Sequence, residues 1–214
     1  GGKVTVDYSA KLNENAVIGS KGNPNEVALI YSNNPNENGT GKPKDTGKTP
    51  KDTVVVFTYK TVVNKVDQNG AALKGAEFKL FKKMQDGSLK EIATEAPITS
   101  DTTSFGFKGL DDGDYILKET KTPAGYNTIK DITFTVTAEH DVLADQPKLT
   151  NLSGVAASGQ ITFTTDKDAG SLTTQVENKK GSILPSTGSI GTTVLYVAGS
   201  VLVVAAGILL VTKM

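Results

Sequence analysis

The chain has no cysteine, no tryptophan and a single histidine, His140, among its 214 residues. Without thiols it forms no disulfide and offers no thiolate nucleophile, so any covalent reinforcement has to come from other side chains. One histidine with no cysteine or second histidine beside it argues against a metal site. Charge of one sign is also missing: 23 Lys+Arg balance 23 Asp+Glu, which removes the electrostatic basis for a nucleic-acid or anionic-membrane partner. There is no phosphate-binding glycine loop and no Ser-His-Asp order, so neither a cofactor nor a turnover enzyme is expected. Asp111-Asp112-Gly113-Asp114 is too short for an EF-hand loop and reads as a turn. The first residues are neither an initiator methionine nor a signal peptide, and the expectation is that Gly1 is an internal point of a longer precursor.

What is present is mostly strand-like. Residues Val4 to Tyr31 alternate in short runs such as Val4-Thr5-Val6 and Val27 to Tyr31, which suits half-buried strands closing a domain that starts upstream. Asn33 to Asp52 has almost no apolar residue and reads as a loop or connection. Strand patterns resume at Val54 to Tyr59, Val62 to Val66, Phe78 to Phe81, Tyr115 to Leu117, Ile132 to Val136, Ile161 to Phe163 and Leu172 to Val176. Asn69-Gly70, Asp86-Gly87 and Asp112-Gly113 punctuate them as turns, and Ala156 to Gly159 and Thr164 to Ser171 are expected as loops. Short strands at this spacing predict an all-β fold, an antiparallel β-sandwich over 53–182.

Near the C-terminus, Leu184-Pro185-Ser186-Thr187-Gly188 precedes an uncharged apolar run from Ile190 to Val211 and then Lys213. The run is about the ~20 residues that a helix needs to cross a bilayer, and by itself it suits a plain membrane anchor. The pentapeptide resembles the L-P-x-T-G sorting signal of Gram-positive surface proteins. That resemblance implies a sortase that attacks the Thr187 carbonyl, releases Gly188 onward and passes the chain to an amine. A helix over 190–212 would then hold the chain only transiently in the membrane. Lys213 is the single cation of the tail where such tails carry several, so the expectation is a weak retention signal or a sequence that stops short of its natural end.

The segment Tyr115-Ile-Leu-Lys-Glu119-Thr-Lys-Thr-Pro123-Ala-Gly125-Tyr126 resembles the E-box, Y-x-L-x-E-T-x-x-P-x-G-Y, of collagen-adhesin B-type domains, which are immunoglobulin-like sandwiches. By strand alternation Tyr115, Leu117 and Glu119 share a face, which aims a carboxylate where apolar residues point. Taken singly, Lys65 suits a solvated strand lysine, Asn178 a surface residue and Glu119 half of a surface ion pair. The resemblance implies something else. Lys65 matches the family's first-strand lysine and Asn178 its last-strand asparagine, and the two condense into an intramolecular isopeptide bond beside Glu119. Such chemistry needs a neutral amine and a protonated acid that polarises the carboxamide.

A second resemblance lies in Val27 to Pro35, similar to the closing strand of a domain in sortase-assembled backbone pilins where an asparagine joins a further bond. Alternation favours Asn33 over Asn34. The organisation expected is therefore 1–36 as closing strands of an upstream isopeptide-type domain, 37–52 as linker, 53–182 as the B-type sandwich and 183–214 as the sorting signal. The family implied is that of Gram-positive sortase-assembled pilins, with extracellular, wall-anchored location. Implied partners are a sortase, neighbouring pilin subunits and peptidoglycan precursor. A wall-anchored adhesin using the sandwich as a stalk, or an ancillary pilin, is the alternative.

Overall fold

The structure, a computed structural model, describes residues 2–34 and 45–181. The sorting pentapeptide, the helix expected over 190–212 and residues 37–44 of the expected linker lie outside the described residues. One compact unit runs to Lys179, and among its described residues every regular element is a strand. In chain order these are β1 Asn23–Val27, β2 Ile30–Ser32, β3 Thr46–Lys48, β4 Asp52–Val56, β5 Tyr59–Asp67, β6 Glu77–Lys83, β7 Leu89–Ile92, β8 Ser104–Leu110, β9 Gly113–Lys121, β10 Ile132–Asp141, β11 Lys148–Ala156, β12 Phe163–Asp166 and β13 Ser171–Asn178.

Alternation builds the sandwich. In β10, Ile132, Phe134, Val136 and Ala138 are buried while the residues between them face outward, the period-2 pattern of a sheet with one wet face. A five-stranded sheet, β11-β10-β9-β6-β7, and a four-stranded sheet, β12-β13-β5-β8, contribute to a single hydrophobic cluster. Rings join them across the core: Phe78 meets Phe105 edge-on at 5.0 Å, and Phe134 meets Phe163 at 5.0 Å. Phe78, Phe105 and Phe134, which are fully buried, contribute about 1.5–3 kcal/mol each relative to exposure. The all-β sandwich expected from the sequence is thus present. One pair departs from the antiparallel expectation: β5 and β13 run parallel, Lys65 opposite Val176 and Asp67 opposite Asn178. The strands that open and close the sandwich meet side by side, and a whole-domain crossover between them permits the parallel pairing that no hairpin could give.

Ahead of the sandwich lie two short ribbons, β1 with β4 and β2 with β3. Here the sequence reading needs correction. Thr46–Lys48 is a strand inside the stretch read as a connection, because backbone pairing supplies a ladder that needs no apolar side chain, and the single strand read from Val54 to Tyr59 is split at Phe57-Thr58 between β4 and β5. Val4 to Val6 forms no strand, and its two valines are exposed. Thr164–Asp166 continues β12 rather than looping, paired to Ser171–Leu172 and Thr173 of β13. The segment ahead of β1 meets the sandwich through glycines: Gly19 (φ +93°) donates its N–H to the Thr58 carbonyl at 3.0 Å, and a Cβ on Gly170 (φ +61°) would lie 2.5 Å from the Gly19 Cα. Two backbones can approach that closely only where both residues lack a side chain.

Candidate functional site: a buried lysine, glutamate and asparagine

Lys65 and Asn178 are each fully buried, at 0 % exposure, on the inner face of the four-stranded sheet. Their burial follows from register. On β5 the inward positions are Tyr59, Thr61, Val63 and Lys65; on β13 they are Leu172, Thr174, Val176 and Asn178. With Lys65 opposite Val176, Asn178 sits one inward position further along the parallel neighbour, a diagonal that a long side chain can reach. Glu119 enters from β9 of the other sheet, two residues beyond buried Leu117. The three residues that the sequence singled out therefore converge, and Asn178 Nδ2 donates to Glu119 Oε2 at 3.2 Å.

The polar bonds within this site are unevenly distributed. Lys65 Nζ donates to the carbonyls of Val176 at 2.7 Å and Val66 at 3.2 Å. Two acceptors suit the two N–H bonds of a neutral amine and leave its lone pair free, whereas an ammonium carries a third donor. Burial favours the same form: desolvation lowers the Lys65 pKa from 10.5 to about 8, against the opposing charges of Glu119 and Glu177. Glu119 Oε2 accepts from three donors, Asn178 Nδ2, the Thr122 hydroxyl at 2.9 Å and the Ile129 N–H at 3.3 Å. Its partner oxygen Oε1 is buried with no hydrogen bond, and so is Asn178 Oδ1. Both are acceptors when the acid is ionised, and a carboxyl protonated on Oε1 has a donor there. The orientation of the carboxamide is fixed by its other bond, Nδ2 to the Asn127 carbonyl at 2.9 Å.

The E-box supplies this scaffold. The Tyr115 hydroxyl donates to the Asp111 carbonyl at 2.9 Å and accepts from the Asp111 N–H at 3.1 Å, tying the start of β9 to the turn before it. At its other end, Pro123 is buried and Gly125 (φ +83°) reverses the chain, with Tyr126 N–H bonded to the Pro123 carbonyl at 3.2 Å. That turn delivers Asn127, whose N–H bonds the Lys179 carbonyl at 2.9 Å beyond the end of β13. Thr122, Asn127, Ile129 and the Val176 carbonyl are parts of the site that residue patterns missed. Three act through the main chain and leave no side-chain signature. Thr122 occupies an unspecified position of the E-box.

The remaining candidates lie elsewhere. Asn33 is exposed just past β2, its N–H bonded to the Asp45 carbonyl at 3.2 Å, and is not brought to the site. His140 stacks near Phe57, centroids 4.7 Å apart, with Nε2 2.9 Å from the Tyr59 hydroxyl. Asp111 pairs with Lys82. Among the described residues no cluster of three or more His, Cys, Asp or Glu side chains could hold a metal ion.

Comparison with known proteins places two segments. Residues 60–148 match the family described as SpaA, a prealbumin-like fold domain, and residues 176–214 match the LPXTG cell wall anchor motif. The trypsin-resistant surface T6 protein of Streptococcus pyogenes serotype M6 is 34% identical over 142 residues, which is 62% of this chain and 25% of that protein. The chain thus spans about a quarter of the length of that relative. Among solved structures, the three-domain T6 backbone pilin of Streptococcus pyogenes serotype M6 superposes with a TM-score of 0.52 at 19% identity, over 80% of this chain and 46% of that one. At that identity the likeness speaks for the fold alone.

Proposed function

From a chain that carries a prealbumin-like SpaA domain and an LPXTG cell wall anchor, we propose a structural role: it is part of a sortase-assembled, cell wall-anchored pilus backbone subunit. Thr187 is the residue joined to an amine, either of a neighbouring subunit or of peptidoglycan precursor. Leu184, Pro185, Ser186 and Gly188 complete the sortase recognition sequence. The ribbons β1–β4 and β2–β3 expose Val27, Leu29, Ile30, Tyr31, Val54 and Val56, which supports reading residues 1–36 as strands of a further domain. Isolated two-stranded ribbons are marginal by themselves.

Within the sandwich, Lys65 and Asn178 condense. The neutral Lys65 amine attacks Asn178 Cγ, a proton on Glu119 Oε1 meets the developing charge on Oδ1, and the carboxyl relays a proton from the amine to the departing Nδ2. One C–N bond forms, one breaks, and ammonia leaves. Holding the groups together supplies the effective concentration that lets an inert amide react. The reaction removes a buried ionisable amine and turns it into a neutral amide, so the folded core favours the product. The observation that carries the reading is the full burial of Lys65 and Asn178 against Glu119, in a chain bearing LPXTG.

Two measurements test it. The intact mass of the full chain should fall short of the sequence mass by one ammonia, with Glu119→Ala restoring it; a wild-type chain at full mass sinks the condensation. In cells, Thr187→Ala should abolish the high-mass ladder on denaturing gels. If the unaltered protein gives only a single wall-linked species, it is a monomeric adhesin and the pilus reading fails.

A further inference from the structure

We infer that Thr122 is a positioning residue for the condensation, setting both the Glu119 carboxyl and the loop that grips Asn178; the inference rests on the reading of Lys65, Glu119 and Asn178 given above. Thr122 directly follows β9 and is half-buried. Its hydroxyl donates to Glu119 Oε2 at 2.9 Å and lies 2.9 Å from the Thr128 hydroxyl. A hydroxyl has one proton and two lone pairs, so Thr122 gives its proton to the carboxyl and accepts that of Thr128.

The pair closes the loop between them like a clasp. Inside the clasp, the Asn127 carbonyl receives Asn178 Nδ2 at 2.9 Å, and its N–H holds the Lys179 carbonyl at 2.9 Å. Just beyond it, the Ile129 N–H reaches Glu119 Oε2 at 3.3 Å. One hydroxyl thus holds the acid directly and fixes the segment whose main chain holds both the acid and the amide. With Oε2 engaged by Thr122, Ile129 and Asn178, the oxygen left for the transferable proton is Oε1, which is buried without a partner, as is Asn178 Oδ1. Thr122 touches neither reacting atom.

The test follows condensation as it happens. The full chain is synthesised cell-free, sampled over time into denaturant and read by intact mass at several pH values from 6 to 8. Loss of a hydrogen bond to a carboxyl should make Thr122→Val slower by about tenfold at each pH, with Thr122→Ser close to wild type. A wild-type rate for Thr122→Val overturns the inference, and so does a Ser variant as slow as Val, which would assign the effect to the methyl group. In a Glu119→Ala background, where no bond forms, Thr122→Val should change the melting temperature little; a large drop there means a structural role and overturns the inference. Should Thr122→Val yield no folded protein, Thr128→Val cuts the clasp while leaving the Glu119 contact, and should slow the reaction by about threefold or more. An unchanged rate in that variant overturns the clasp. Failure of the parent reading looks different: the wild-type chain itself keeps its full mass.

Discussion

Two variants isolate what the buried amine does to stability: Asn178→Ala, and the same change combined with Lys65→Met. Neither can form the internal bond, both carry the same cavity at position 178, and they differ only in the amine. Lys65 is lowered from 10.5 in the unfolded chain to about 8 in the folded one, chiefly by desolvation. Below pH 8 the lysine is protonated in both states, and the burial cost is present in full. Between pH 8 and 10.5 the unfolded chain holds a proton that the folded chain has released, so stability rises with pH. Above that window the amine is neutral in both states and the cost is gone. At 1.36 kcal/mol per pH unit, the shift corresponds to about 3 kcal/mol. Asn178→Ala should therefore gain about 3 kcal/mol relative to the double variant as the pH is raised across this window. Urea unfolding of both full-length variants at closely spaced pH values from 7 upward measures the difference, in which the titration of all other groups cancels. Hydrogen bonds lost with Lys65→Met shift that difference by a constant and leave its slope alone. A difference that stays flat from pH 7 to above 10 would refute the argument that Lys65 is buried at the expense of its charge.

The internal bond would close a loop of about 110 residues, worth roughly 4 to 5 kcal/mol by chain entropy, so Glu119→Ala should lower the melting temperature by about 15–20 °C in calorimetry. Asn178→Asp should not condense at neutral pH, because a carboxylate would face two acceptors, the Asn127 carbonyl and Glu119 Oε2; loss of one water in its intact mass would contradict this. Gly170→Ala pushes a Cβ to 2.5 Å from the Gly19 backbone at a positive φ. It should loosen the segment before β5, seen as faster proteolysis ahead of Tyr59 with the sandwich left intact, at a stability cost of about 1–3 kcal/mol.

Legibility differed from one part of the chain to another. Strands with strict alternation, such as β10 and β13, are visible in the sequence because a single buried face dictates every second residue. The strands β7, β8 and β11 leave weaker marks. In β8, Gly106 and Gly109 interrupt the pattern although Phe105 and Phe107 are buried, and β11 buries only Leu149 and Leu152 outright. In the ribbons, Ile30-Tyr31 of β2 and Val54 to Val56 of β4 fall in runs that read as strands, whereas β1 and β3 were illegible: their pairing is made by backbone, and their side chains are largely exposed.

The sequence by itself determined the chemistry on offer: no thiol, a segment resembling an E-box around Glu119, a lysine and an asparagine in two separate strand-like runs, and an L-P-x-T-G pentapeptide. Alternation places Tyr115, Leu117 and Glu119 on one face, since the pleat has period two, but the run Val62-Val63-Asn64-Lys65-Val66 leaves the face of Lys65 open. What only the tertiary structure decided is that β5 and β13 lie side by side and parallel, in a register that sets Asn178 one inward position past Lys65. The same holds for the Asn127 carbonyl, the Ile129 N–H and the Val176 carbonyl, which serve the site through main-chain groups that every residue possesses. Where such groups act depends on how distant segments pack, and no local pattern encodes it.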